Sequence, residues 1–304
     1  MPAPEPHDIQ LRTVPVRRLA DLRRAVERAR EQGLVDEGVY KEGLSWFVFE
    51  PPADAPEVRS LTVVASRDPM VRFHFGWRGR RVPVVVPPTY LRGTERTDRL
   101  AEALSSGPSG EPRRRVVRAA VPTKLLAVCS GLAAYGRNNI AYVDDMGSFH
   151  RLAAFYSDAP CEEDAWREPT AMRECEGCLL CTRACLTGAI APERFRLRAE
   201  RCITFWNEKS GDVAFPEWLD ASWHDCLVGC MRCQRVCPRN REVLDLCEEG
   251  ANFSEEETES LLRGVPEAEL PAGLVEKLGR WDLLPLLGHL PRNLGALLGG
   301  LGRE

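Results

Sequence analysis

The chain has 304 residues, 44% of them hydrophobic and 28% charged, a balance that builds apolar cores and excludes a disordered polar chain. No apolar run approaches the roughly 20 residues needed to cross a bilayer, and the opening MPAPEPHDIQ lacks the apolar centre of a signal peptide, so a cytoplasmic protein with no membrane partner is expected. The net charge of −4 is uneven: residues 1–160 hold 24 Lys and Arg against 19 Asp and Glu, whereas residues 161–304 hold 17 against 26.

In chain order, residues 17–32 predict a helix, with Leu19, Leu22, Val26 and Ala29 on one face and Gly33 as its stop. β-rich runs follow at Trp46–Glu50, Ser60–Ser66, Val71–Trp77 and Val82–Val86, with a hairpin turn in Gly76–Arg81. The stretches PPADAPE and SSGPSGEPRRR read as loops. Val121–Tyr135 predicts a helix that opens at Pro122 and ends at Gly136. Ile140–Val143 and Phe149–Tyr156 then read as strands. Beyond residue 247, helices are expected at Ser254–Arg263, Ala272–Leu278 and Leu294–Leu301, the first with a capping box of Ser254 and Glu257. The expected fold is α+β. A layered α/β cofactor-type domain (1–165) precedes a ferredoxin-like double-cluster module (166–247) and a short helical C-terminal region (248–304).

Of the 12 cysteines, only Cys129 precedes residue 160, and without a secretory signal their number argues against a disulfide scaffold. Their spacing points to metal. Cys175, Cys178, Cys181 and Cys185 form the C-x2-C-x2-C-x3-C run of bacterial ferredoxins, and Cys230, Cys233 and Cys237-Pro238 form a second, shorter run. Three thiolates two residues apart can wrap three corners of a cubane. The fourth opens the next helix and faces the other cluster. The crossover assigns cluster one to Cys175, Cys178, Cys181 and Cys237, and cluster two to Cys185, Cys230, Cys233 and a fourth ligand. Cys202 and Cys226 compete for that place. Cys202 is favoured, because Cys226 fits the turn before Cys230 without reaching the cubane. Zinc also uses C-x2-C pairs, but it needs no third cysteine at the same spacing. Cys129, Cys161 and Cys247 read as incidental thiols.

The order of these motifs resembles the epoxyqueuosine reductase family. The resemblance rests on SGLAAYGRNNIAYVDDMGSFHRL at 130–152, ECEGCLLCTRACLTGAI at 174–190, RCITFWNE at 201–208 and GCMRCQRVCPRN at 229–240. It implies an oxidoreductase with two [4Fe-4S] clusters and a cobalamin, related in design to reductive dehalogenases, and it makes the Cys202 position a ligand of cluster two. The chain departs from the family in two places. The family's G-L-G-W-x-G-K-N stretch becomes Gly131-Leu-Ala-Ala-Tyr135-Gly-Arg-Asn138, which loses a glycine but keeps an aromatic residue and a cation. The family's proton-donating aspartate falls on Ala119 or Val117, and Glu111 is the nearest upstream carboxylate. The family's long helical-repeat region, which helps grip tRNA, shrinks to residues 248–304. Together with the acidic C-terminal half, this disfavours tRNA as substrate. The chain thus reads as a divergent paralogue.

The chemistry expected is electron transfer through two cubanes. Electrons would come from a small carrier of the ferredoxin or flavodoxin type and pass to a small-molecule substrate, or to a cofactor such as cobalamin, in the N-terminal domain. Lys124, Tyr135 and His150 are the candidate proton donors. Arg137, Asn138 and Asn139 are the candidates to hold phosphate or amide groups of a cofactor. For Lys124 and His150 the competing readings are a solvated helix residue and a satisfied strand residue. The competing functions are a non-catalytic electron-transfer or maturation partner and a redox-sensing binding module. The acidic surplus of the cluster half reads as a docking surface.

Overall fold

The structure is a computed structural model that describes residues 8–106, 113–161 and 163–300. In chain order its elements are β1 (Ile9–Pro15), α1 (Leu19–Glu31), α2 (Glu37–Gly43), β2 (Ser60–Arg67), β3 (Met70–Trp77), β4 (Arg80–Val86), α3 (Gly93–Ser106), β5 (Val116–Arg118), α4 (Thr123–Cys129), β6 (Ala134–Tyr135), β7 (Ala141–Tyr142) and β8 (His150–Ser157). They continue with α5 (Leu180–Ala184), α6 (Ile203–Asn207), α7 (Arg232–Arg235), β9 (Cys247–Phe253), α8 (Glu255–Leu262), α9 (Ala272–Arg280) and α10 (Leu290–Gly300). The mix is α+β, as expected. The chain forms two compact units: residues 1–68, 93–179 and 190–200, and residues 69–92, 180–189 and 201–304.

The first unit is organised by an antiparallel sheet of order β1-β2-β8-β5. β2 lies inside it, so both its faces are covered and its sequence SLTVVASR is almost unbroken by charge. One face carries Leu61, Val63 and Ala65, which pack with Leu19 and Leu22 of α1 and Leu125 and Leu126 of α4. Val64, on the other face, meets Ala153, Phe155 and Leu100 of α3. This alternation follows from the two-residue repeat of a strand.

The helix expected over Val121–Tyr135 ends at Cys129 instead. Gly131 takes φ +82°, its N–H donates to the Val128 carbonyl at 3.2 Å, and the Leu132 N–H donates to the Ala127 carbonyl at 2.9 Å. This is a Schellman end, which only a residue free to enter the left-handed region closes cheaply. Ala134 and Tyr135 therefore become β6, which pairs with β7. The turn between them joins the Gly136 N–H to the Ile140 carbonyl at 2.9 Å and holds Asn139 at φ +62°.

The strand expected at Trp46–Glu50 is irregular chain. Trp46 and Val48 are 58% and 50% exposed, and the prolines at 51 and 52 end the run. The other β-rich runs form strands close to their expected bounds. β1, α2, α3, β5 and β9 lie outside the elements that the sequence pattern predicts. Residues 107–112 of the expected SSGPSGEPRRR loop, with Glu111, and Leu301 of the last expected helix lie outside the described residues.

The second unit joins the hairpin β3–β4 to β9 in a sheet of order β4-β3-β9, in which β9 runs parallel to β3. Arg78 and Gly79 at φ +51° and +70° form the tight hairpin turn. Phe75 stacks on Phe253 at 4.6 Å, and this core continues through Leu261, Leu278 and Leu294 of the C-terminal helices. The capping box forms as expected: Ser254 Oγ accepts from the Glu257 N–H, and the Glu257 carboxylate accepts from the Ser254 N–H.

Candidate iron–sulfur site

The cysteines sit on short, tightly turned chain. Cys175 closes the single helical turn Arg173–Cys175, and Gly177 at φ +70° lets the chain double back to Cys178. α5 then lies between Cys178 and Cys185, as α7 lies between Cys230 and Cys237. Asn240 ties down the second run, its side-chain amide donating to the Gln234 carbonyl at 2.9 Å. None of the cysteines forms a disulfide.

Cys202 is the N-cap of α6. Burial pushes its thiol up. The Thr204 N–H and hydroxyl and the Phe205 N–H pull it back, and Cys185 is a near electrostatic neighbour. Burial likewise pushes up Cys230, whose sulfur has Cys233 and Cys202 as neighbours. Electrostatic influence thus runs from Cys185 to Cys202 and from Cys202 and Cys233 to Cys230. Cys226 is fully buried. Burial and the adjacent Asp225 push its thiol up, and its sulfur meets the Met231 N–H. A buried thiol with a raised pKa stays protonated unless a cation takes the proton's place, which is what coordinated iron supplies. The spacing of the cysteines on this short, tightly turned chain fits iron–sulfur ligation. Among the described residues no three His, Cys, Asp or Glu side chains converge as one metal ion requires. A cubane is bound differently, with one thiolate at each of four irons.

Arg137 is placed by the β6–β7 turn beside Cys175. Its backbone N–H donates to Cys175 Sγ at 3.4 Å, while its guanidinium donates to the Cys175 and Pro192 carbonyls at 3.1 Å each. A cleft of about 250 Å³ lies here, lined by Arg137, Cys175, Arg194 and Phe195 among others. Tyr135 is buried edge-on against Phe195, and burial pushes its phenol far up. Asn138 is buried, with its amide donating to Tyr142 Oη at 2.9 Å and its oxygen accepting from the Ile140 N–H at 3.4 Å. Its side chain serves the turn, so of the three cofactor candidates Asn138 is committed internally and Arg137 is committed to the cysteine loop.

His150, at the start of β8, is buried and bonds the Gly147 carbonyl through Nδ1 at 3.1 Å. Burial lowers it to about 4, so it is a neutral imidazole at pH 7. Lys124 is exposed on the first turn of α4.

Two features near the cysteines carried no sequence signal. Tyr90 hydrogen-bonds the Glu208 carboxylate, 118 residues away in the chain. Burial and then the Glu208 carboxylate push the Tyr90 phenol well up, with Cys202 and Cys226 as lesser electrostatic neighbours. Gly229, at φ +70°, leaves room for this ring: a Cβ there would stand 2.7 Å from Tyr90 Oη. Arg167 caps the end of α4, donating to the Val128 and Ala133 carbonyls.

Residues 174–240 match the family described as a 4Fe-4S double cluster binding domain. Sequence and fold also resemble epoxyqueuosine reductases. The chain is 31% identical to the enzyme of Burkholderia pseudomallei over 185 residues, 54% of this chain and 44% of that protein. It is 28% identical to that of Staphylococcus aureus over 150 residues, 49% and 38% of the two chains. The chain therefore spans under half the length of these relatives. The epoxyqueuosine reductase of Streptococcus thermophilus shares the fold with a TM-score of 0.59 at 16% identity, over 96% of this chain and 77% of that one. An epoxyqueuosine reductase solved with an epoxyqueuosine-modified tRNA-Tyr stem loop gives 0.63 at 21% identity, over 95% and 76%. No helix among the described residues is long and apolar enough to cross a membrane.

Proposed function

We propose that the protein is an iron–sulfur oxidoreductase of the epoxyqueuosine reductase type. Residues 166–247 hold two [4Fe-4S] clusters, one on Cys175, Cys178, Cys181 and Cys237 and the other on Cys185, Cys202, Cys230 and Cys233. Electrons enter from a small carrier of the ferredoxin or flavodoxin type and leave toward a substrate in the domain of residues 1–165. The observation that carries this reading is the double cysteine run within a 4Fe-4S double cluster binding domain. The choice of Cys202 over Cys226 is supported by the sulfur neighbourhood of Cys185, Cys202 and Cys230.

The protein's own contribution is to place the clusters and set their potential. N–H donors to sulfur stabilise the more negative, reduced cluster. Arg137 supplies one to Cys175, and the first turn of α6 supplies others to Cys202. Cobalamin, where bound, supplies a low-valent metal that attacks or reduces the substrate. Asn138, read for its amide groups, spends both side-chain functions on the β6–β7 turn, so that residue does not fit the role. Tyr135 and His150, read as proton donors, are buried with pKa values displaced from neutrality in opposite directions, which leaves Lys124 as the donor best placed to meet solvent.

Anaerobic reconstitution tests the reading. About eight irons and eight sulfides per chain are expected, two [4Fe-4S] clusters' worth. Cys202→Ser should remove one cluster and Cys226→Ser none, and the reverse result would exchange their roles. Retention of hydroxocobalamin through gel filtration, with a changed corrinoid spectrum, decides the cobalamin question. Binding of a tRNA-Tyr stem loop decides whether the substrate of the solved relative carries over; the acidic C-terminal half argues against it.

A further inference from the structure

The acidic surplus of residues 161–304 is interrupted at two stretches that carry cluster cysteines. Residues 180–189 and 230–241 contain five arginines and no Asp or Glu. The two stretches repeat one pattern, Cys178-x-x-Cys181-x-Arg183-x-Cys185 and Cys230-x-x-Cys233-x-Arg235-x-Cys237, and the helices within them, α5 and α7, pack on each other. Arg183, Arg235 and Arg239 are exposed. The nearest carboxylate to Arg235 stands 3.9 Å off, on Asp225, which is a loose pairing. The same two stretches leave large apolar side chains open to solvent: Leu180 at 41%, Leu186 at 44% and Val236 at 39%. Cys181, Cys185 and Cys237, directly beside them in the chain, are only half-buried.

We propose that this face, with Arg183 and Arg235 at its centre, is the docking surface for an acidic one-electron carrier protein. The proposal rests on the iron–sulfur reading above. An apolar patch rimmed by one sign of charge marks an interaction site. Positive charge on a chain of net charge −4 selects an acidic partner and speeds its approach. The half-exposed ligands bring the redox centres close to that partner. The step is a single electron transfer: a reduced [2Fe-2S]⁺ carrier becomes [2Fe-2S]²⁺ as a [4Fe-4S]²⁺ cluster becomes [4Fe-4S]⁺, with no bond broken and no proton moved.

The test is stopped-flow reduction of the reconstituted, full-length protein by a reduced, acidic plant-type [2Fe-2S] ferredoxin at low ionic strength. In Arg183→Glu/Arg235→Glu the bimolecular rate should fall at least about tenfold and lose most of its salt dependence. Reduction by dithionite, a small reductant that needs no docking face, should be unchanged. Arg183→Gln/Arg235→Gln, which adds no carboxylate among the ligands, should show a smaller fall of the same kind. Arg263→Glu/Arg280→Glu makes the same charge change on exposed residues elsewhere and should leave the rate within about twofold. An unchanged rate in the first variant with eight irons intact overturns the proposal, as does an equal fall in the remote variant. If instead a tRNA stem loop binds and only that binding depends on Arg183 and Arg235, the face belongs to RNA and the proposal falls. A parent protein that takes up no iron and sulfide refutes the iron–sulfur reading itself, an outcome visible before any carrier is added.

Discussion

In the four-stranded sheet, β2 is paired on both sides along its length and every residue from Ser60 to Ser66 is buried. In the cysteine loops, α5 has no buried residue and α7 has only Gln234. Helices this short are far below the ~12 residues at which isolated helices become marginal. The sheet is held by apolar area removed from water. The two cysteine helices bury little such area, although Leu227 and Met231 beside them are fully buried, so a cluster would add cross-links where burial is thinnest. The contrast is between a strand buried along its whole length and two short helices with almost no buried side chain.

The sharpest way to break this contrast is to remove the iron. After oxidation and chelation, limited proteolysis should cut within residues 173–241 while amide exchange in β1, β2 and β8 keeps its protection. Equal loss of protection in the sheet would mean that the two regions are not separately stabilised. The converse experiment empties part of the apolar core. Leu126→Ala, at a side chain with no exposed area, should cost about 2–5 kcal/mol of stability in denaturant melts, with the iron content unchanged.

A smaller effect should appear on titration. His150 is held near 4 in the fold against about 6.5 in an unfolded chain. Between those values the unfolded state binds the extra proton. Its contribution is therefore complete above about 6.5 and is lost as pH falls toward 4, amounting to about 3 kcal/mol at most. His150→Gln should flatten the stability profile over that window, and an unchanged profile would show that another group dominates it. Smallest is the cap of α8: Ser254→Ala should cost about 1 kcal/mol, read as a modest drop in Tm with cluster content intact.

How much of this was legible beforehand varied with the physics of each element. β2, β3 and β4 carry long apolar, β-branched runs, and α8 announces itself with Ser254 and Glu257. β9 reads CEEGANF, a poor strand by composition, and becomes one only because β3 offers it a parallel edge. α3 shows a narrow apolar stripe around Leu100 that becomes meaningful once Val64 and Phe155 cover it. The apolar run at Trp46–Glu50 looks like a strand but joins no sheet among the described residues, its Val48 N–H donating to the Ala120 carbonyl at 2.8 Å. Residues 130–135 continued a helical pattern that Gly131 ended.

The cysteine spacing by itself determined the class of site, because a cubane's reach is set over two or three residues of local chain. The same sequence could not say which nearby groups serve that site. The bond from the Arg137 N–H to Cys175, the seating of Tyr90 against Gly229 and the packing of α5 on α7 all join positions far apart in the chain. Only tertiary structure decides such contacts, because they depend on which distant segments pack together.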